Sequence, residues 1–249
     1  MQIALSAASL PEAGLTEVLA TAGGAGYGAV ELFRQCTESN LVHPEYSMQR
    51  IRDSLATANV ELAACEIRPL TGRKADSDER NLAYNLRQLE WDIHLCRALG
   101  VSTLGFRGGA NTAEARQDLA EGASQLAEKI TDVTLAIGPR AGSCLATAED
   151  IDALLPALTD QVGLLLDTSQ LLIAGVDPVI VSHAWAPRVR LVYLCDVLKG
   201  ATVGLGEGDL DVAGVLTALI RSGDTGPVVV ETPVDTFEAA RKLVSAAIA

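Results

Sequence analysis

Short runs of Val, Ile and Leu alternate with longer segments whose apolar residues recur at i, i+3, i+4 and i+7. The alternation repeats eight times along the 249 residues. The runs are Gln2–Ser6, Ala29–Phe33, Glu61–Glu66, Ser102–Phe106, Val133–Ile137, Val162–Asp167, Val189–Cys195 and Val228–Glu231. Continuous apolar runs of this length predict strands buried on both faces, as in a parallel sheet. The segments between them carry helix-start signals: Ser9 with Pro11 and Glu12, Thr112, Thr147 with Asp150, Asp177 before Pro178, Asp211, and Asp235 with Glu238. Eight strand–helix units in about 250 residues are the count and size of a (β/α)8 TIM barrel. The expected fold is therefore α/β, one barrel domain over residues 1–249. An open doubly wound sheet is the competitor, but no GxGxxG follows the first strand.

Charge narrows the function. Nineteen Lys and Arg stand against 32 Asp and Glu, a net charge of −13. Phosphate backbones and anionic membrane surfaces need a cationic footprint, so neither is an expected partner. A small-molecule substrate is, and a homodimer is compatible with the chain. No apolar run has the ~18–20 residues of a membrane span, and Met1–Ser6 lacks a basic leader, so a cytoplasmic location is expected. Cys36, Cys65, Cys96, Cys144 and Cys195 are widely spaced with no CxxC, which predicts reduced thiols rather than a disulfide framework or zinc ribbon.

In a TIM barrel the chemistry lies at the C-terminal ends of the strands. These ends are sorted by charge. Runs two to five finish near Arg34, Arg68, Arg107 and Arg140; runs six to eight finish with Asp167, Asp196 and Glu231. The pattern predicts a mouth with a cationic and an anionic half. Arginine forks suit a carboxylate or phosphate because they donate two parallel hydrogen bonds, so the expected substrate is polar and anionic.

Several segments together resemble the xylose isomerase-like barrels, the sugar phosphate isomerase/epimerase superfamily. These are Gly26–Leu32, Leu166–Thr168 with Ala174–Pro178, Gly204–Asp211 and Val228–Glu231. The resemblance implies one divalent metal, held by Glu, Asp, His and Glu on strands five to eight, with the glutamates moving a proton between adjacent carbons. Here Asp167 and Glu231 match, Gly138 or its neighbours Pro139 and Arg140 stand at the strand-five glutamate, Tyr193 at the strand-seven histidine, and Gln170 where a further histidine is common. His94 and His183 fall within helices, which leaves His43 as the one histidine able to reach the mouth.

The expectation is thus an isomerase- or epimerase-like enzyme without an intrinsic metal. The alternative is a weakly held Mg²⁺ or Mn²⁺ on Asp167, Asp196 and Glu231. Abstraction of a proton beside a carbonyl needs a base and a positive group at the developing enolate oxygen. Glu231 is the expected base, Arg140 with neighbouring Arg107 the stand-in cation, and Asp167 and Tyr193 hydrogen-bonding catalytic partners. Glu31, Arg34, Arg68, Arg107, Gln170 and Asp196 are the expected substrate contacts, and Glu207, in the glycine-rich loop, a gate. A cofactor-free lyase or cyclase, and a non-catalytic binding protein, are the alternatives.

Overall fold

The computed structural model describes residues 1–33, 48–71, 80–223 and 226–248. Nine strands are formed among the described residues: β1 (Ile3–Ser6), β2 (Ala29–Phe33), β3 (Glu61–Glu66), β4 (Thr103–Arg107), β5 (Thr134–Gly138), β6 (Val162–Asp167), β7 (Val189–Leu198), β8 (Ala201–Val203) and β9 (Val228–Glu231). Eight of them pair in parallel and close a barrel, with β9 beside β1 and β6 beside β7. β8 is an antiparallel return of β7, Leu198 opposite Ala201. β7 itself extends the seventh run past Cys195 to Leu198.

Around the barrel lie α1 (Leu15–Gly24), α2 (Met48–Ala58), α3 (Arg80–Ala98), α4 (Ala113–Lys129), α5 (Ala148–Leu154), α6 (Thr168–Ile173), α7 (Pro178–Trp185), α8 (Val212–Ile220) and α9 (Phe237–Ile248). Thr112, Asp177 and Asp211 accept from first-turn amides as expected, and Thr147 with Asp150 forms the capping box. Ser9 does not cap α1. That helix starts at Leu15 with Gly14 as its N-cap, and the Ser9 hydroxyl instead accepts from the Thr232 amide, 3.1 Å away, where the first and last units meet. Asp235 lies inside a short 3-10 turn, Val234–Thr236, that precedes α9. None of the described helices is long and apolar enough to cross a membrane.

Residues two apart on a strand share a face, and this rule builds the barrel interior. Ala4, Ala29, Ala64, Ala136, Leu165, Leu191, Tyr193 and Val229 form one buried cluster inside the sheet. Small residues come mainly from the early strands and large ones from β6 and β7. A Cβ at Gly105 would touch the Leu191 and Leu165 side chains at 3.1 and 3.3 Å. One step further along the same face come Ser6, Glu31, Glu66, Arg107, Gly138, Asp167, Tyr193 and Glu231. The packed core thus ends in a layer of polar residues at the strands' C-terminal ends.

Candidate active site

A cavity of about 330 Å³ opens above that layer, lined by Ala8, Glu66, Arg107, Arg140, Asp167, Ser169, Gln170, Tyr193 and Glu231. Its centre is Arg107. The Nε donates to both Glu66 oxygens at 3.3 Å, and Nη2 donates to Glu66 Oε2 at 3.0 Å and to Asp167 Oδ2 at 2.8 Å. Nη1 donates to the Pro139 carbonyl at 2.6 Å. The guanidinium carbon also lies 5.5 Å from the centre of the Tyr193 ring. Burial alone would lower the Arg107 pKa; the facing Glu66 and Asp167 carboxylates outweigh it and push it up.

Asp167 is held from two sides. Its Oδ1 accepts from the Gln170 amide at 3.0 Å, capping α6, and from Ser169 Oγ at 2.8 Å. Gln170 in turn accepts from the Ala141 amide, fastening the loop after β5.

Below the cavity, Glu31 is fully buried. It accepts from Ser6 Oγ at 3.0 Å, from Tyr193 Oη at 3.1 Å and from the Glu66 amide at 3.2 Å. Burial, then the nearby Glu66 charge, push its carboxyl well above the usual range, so the neutral acid is favoured. Burial and the same two glutamates also raise the Tyr193 phenol. Glu231 differs. No hydrogen bond to its carboxylate is formed among the described residues, and it borders the cavity. Burial, followed by the Asp167 and Glu66 charges, pushes it up to about 7, against the opposing pull of Arg107.

The expected site residues therefore separate. Glu231, Asp167, Tyr193, Arg107, Arg140 and Gln170 meet at one cavity. Glu31 lies beneath it as a support. Arg68 turns away to a buried partner, Asp92 on α3, at 2.7 Å. Asp196 is also turned away: its carboxylate accepts from the amides of Gly206, Gly208 and Leu210, each at 2.9 Å, and organises the loop after β8. Glu207 accepts from the Gly204 amide within that loop. Arg34 and His43 lie outside the described residues. Among the described residues the predicted cationic half of the mouth is not formed. One arginine is spent on α3, one is neutralised by two carboxylates, and Arg140 stands exposed at the rim. Glu66 and Ser169 belong to the site but were not expected. Strand parity was the available signal for Glu66, which shares the inward face with Glu31 and Arg107. A larger groove, about 850 Å³, runs between α1 and α2 on the barrel exterior, away from the strand ends.

The metal implied by the resemblance does not fit these residues. Position 138 has no side chain, and a Cβ there would lie 2.7 Å from Arg107 Nη1. Tyr193 is committed to Glu31, and both Asp167 oxygens are already bonded. The weaker set of Asp167, Asp196 and Glu231 fails because Asp196 faces the loop amides. Among the described residues no group of three or more His, Cys, Asp or Glu side chains could hold an ion.

The inosose dehydratase of Geobacillus kaustophilus (strain HTA426) is 34% identical over 116 residues, 38% of this chain and 37% of that protein. The 3-dehydroshikimate dehydratase of Pseudomonas aeruginosa is 28% identical over 243 residues, 91% of this chain and 37% of that protein. The chain thus spans less than half the length of these two relatives. The crystal structure of the IOLI protein, which binds a zinc atom, superposes with a TM-score of 0.79 at 18% identity, over 100% of this chain and 98% of that one. The sequence signature of the xylose isomerase-like TIM barrel matches residues 19–249, and the chain belongs to that family.

Proposed function

We propose that this protein is a lyase that removes water from a polyhydroxylated ketone, with Glu231 as the single acid–base group and no resident metal ion. One observation carries the reading. Glu231 is the cavity carboxylate without a hydrogen-bond partner among the described residues, whereas Glu66 and Asp167 are tied to Arg107. Epimerisation through two glutamates needs a second free acid–base group, and at 138, where the family's other glutamate stands, this chain has glycine. Loss of water needs only one.

Glu231 takes the proton from the carbon next to the carbonyl, and the C–H electron pair moves onto the carbonyl oxygen as an enolate. The pair then returns, the bond from the neighbouring carbon to its hydroxyl breaks, and Glu231 delivers its proton to the departing oxygen as water. Asp167, Ser169 and Gln170 offer polar contacts for substrate hydroxyls. The relatives' names, which describe dehydration of inosose and of 3-dehydroshikimate, support the same class of reaction. The test is incubation with each of those two compounds in D2O, followed by mass spectrometry. A product lighter by one water supports the proposal. A product of unchanged skeleton carrying deuterium at the carbon next to the carbonyl overturns it in favour of an epimerase.

A further inference from the structure

We propose that the Arg107 guanidinium is the resident cation of this active site, filling the role that a divalent ion fills in metal-binding barrels of this kind, and that Gly138 is the residue that admits it. The inference rests on the reading that the reaction passes through an enolate, and it assigns the group that stabilises the enolate oxygen.

Three features of Arg107 fit the role. It lines the cavity directly. It is fixed before any substrate arrives, by Glu66, Asp167 and the Pro139 carbonyl, so no reorganisation accompanies the reaction. It also keeps a donor in hand. A guanidinium has five N–H groups; Nε, both hydrogens of Nη2 and one of Nη1 are used in these bonds, which leaves one on Nη1 among the described residues.

Gly138 is what makes the placement feasible. Gly138 and Arg107 are register partners on β5 and β4. A Cβ at 138 would meet Arg107 Nη1 at 2.7 Å and Leu165 Cδ2 at 2.6 Å. Even alanine would force both aside, and a glutamate would add further atoms to the same crowded place. A ligand on β5 and an inward arginine on β4 therefore exclude each other sterically. Arg140, expected to share this duty, also lines the cavity but is exposed at its rim.

The exclusion is testable by Mn²⁺ binding, without reference to turnover. Four proteins are compared by equilibrium dialysis and electron paramagnetic resonance, with circular dichroism to confirm folding: wild type, Gly138→Ala, Gly138→Glu with Tyr193→His, and that pair with Arg107→Ala. Wild type should take up only substoichiometric Mn²⁺ and keep its rate after chelation. The triple variant should bind Mn²⁺ roughly 10–100-fold more tightly than the double variant that retains Arg107. Stoichiometric Mn²⁺ binding by wild type, or a folded triple variant no tighter than the double, overturns the inference. Gly138→Ala, the mildest change, keeps the fold readable if the others do not fold. It should lower kcat through displacement of the guanidinium and gain no Mn²⁺ dependence; an unchanged kcat overturns the assignment. Absence of dehydration in wild type, with Mn²⁺ still excluded, counts against the proposed reaction and not against the exclusion.

Discussion

Glu31, midway along β2, and Glu231, at the end of β9, lie on the two strands that flank β1, on the same inward face, and burial raises both carboxyls. They differ in company. Glu31 sits under the cavity with Ser6, Tyr193 and the Glu66 amide around it; Glu231 stands at the cavity with no such partners among the described residues. A satisfied buried acid is part of the architecture. An unsatisfied one next to two other carboxylates and a fixed cation is held near the midpoint of its titration at neutral pH, which suits a group that must both take and return a proton.

The largest effect should come from removing the charge that lies between these regions. Arg107→Met leaves Glu66 and Asp167 facing each other, and loss of one partner of a buried ion pair costs on the order of 3–5 kcal/mol. Denaturant unfolding at pH 7 and pH 5 should show a smaller loss at pH 5, where the stranded carboxylates can take up protons. An equal loss at both would mean that Arg107 acts mainly by packing.

Glu231→Gln should lower kcat by roughly 10²–10⁴-fold with little change in substrate affinity. The same variant should be more stable than wild type at pH 8. The wild-type carboxyl titrates at about 7 when folded against 4.5 ordinarily, so its contribution is intact below 4.5 and declines as pH rises to 7. The Gln variant escapes that decline, on the order of 3 kcal/mol. Thermal melts from pH 4.5 to 8 read the slope directly. In wild type, kcat/KM should rise through a pKa of about 7 as the base form appears; a flat profile across pH 5.5–8 would remove Glu231 from the chemistry.

Tyr193→Phe tests the region below. Glu31 loses one of its donors, and stability should fall by about 1–3 kcal/mol, with a smaller effect on kcat than Glu231→Gln. Arg140→Ala should be the mildest in stability, within about 0.5 kcal/mol. It should raise KM for a substrate carrying a carboxylate or phosphate and leave a neutral polyol ketone unaffected.

Much of this was legible in the residues. The barrel follows from runs that are apolar without interruption, and Ala29–Phe33, Glu61–Glu66, Val162–Asp167 and Val228–Glu231 match their strands residue for residue. Glu231, Asp167 and Tyr193 could be named because strand ends converge in this fold. The arginines were harder. Arg34, Arg68, Arg107 and Arg140 look alike in sequence, and their fates depend on which way each strand end turns and what waits there. Asp92 was a readable clue: an acid beside Leu89 and Ile93 on the buried face of a helix needs a cation, and Arg68 supplies it. That Gly138 makes room for Arg107 is a statement about a missing atom, which no motif carries. Asp196 shows the reverse error, because an acid at a strand end can serve backbone amides rather than a ligand.

The loop that Asp196 gathers has a further consequence. Glycines at 204, 206 and 208 mark it by composition as loose, yet three of its amides converge on one buried carboxylate anchored in β7. Exchange of those three hydrogens with solvent should therefore be as slow as in the sheet. With that anchorage the segment should act as a rivet in the barrel wall, its glycines serving a tight path around an acid.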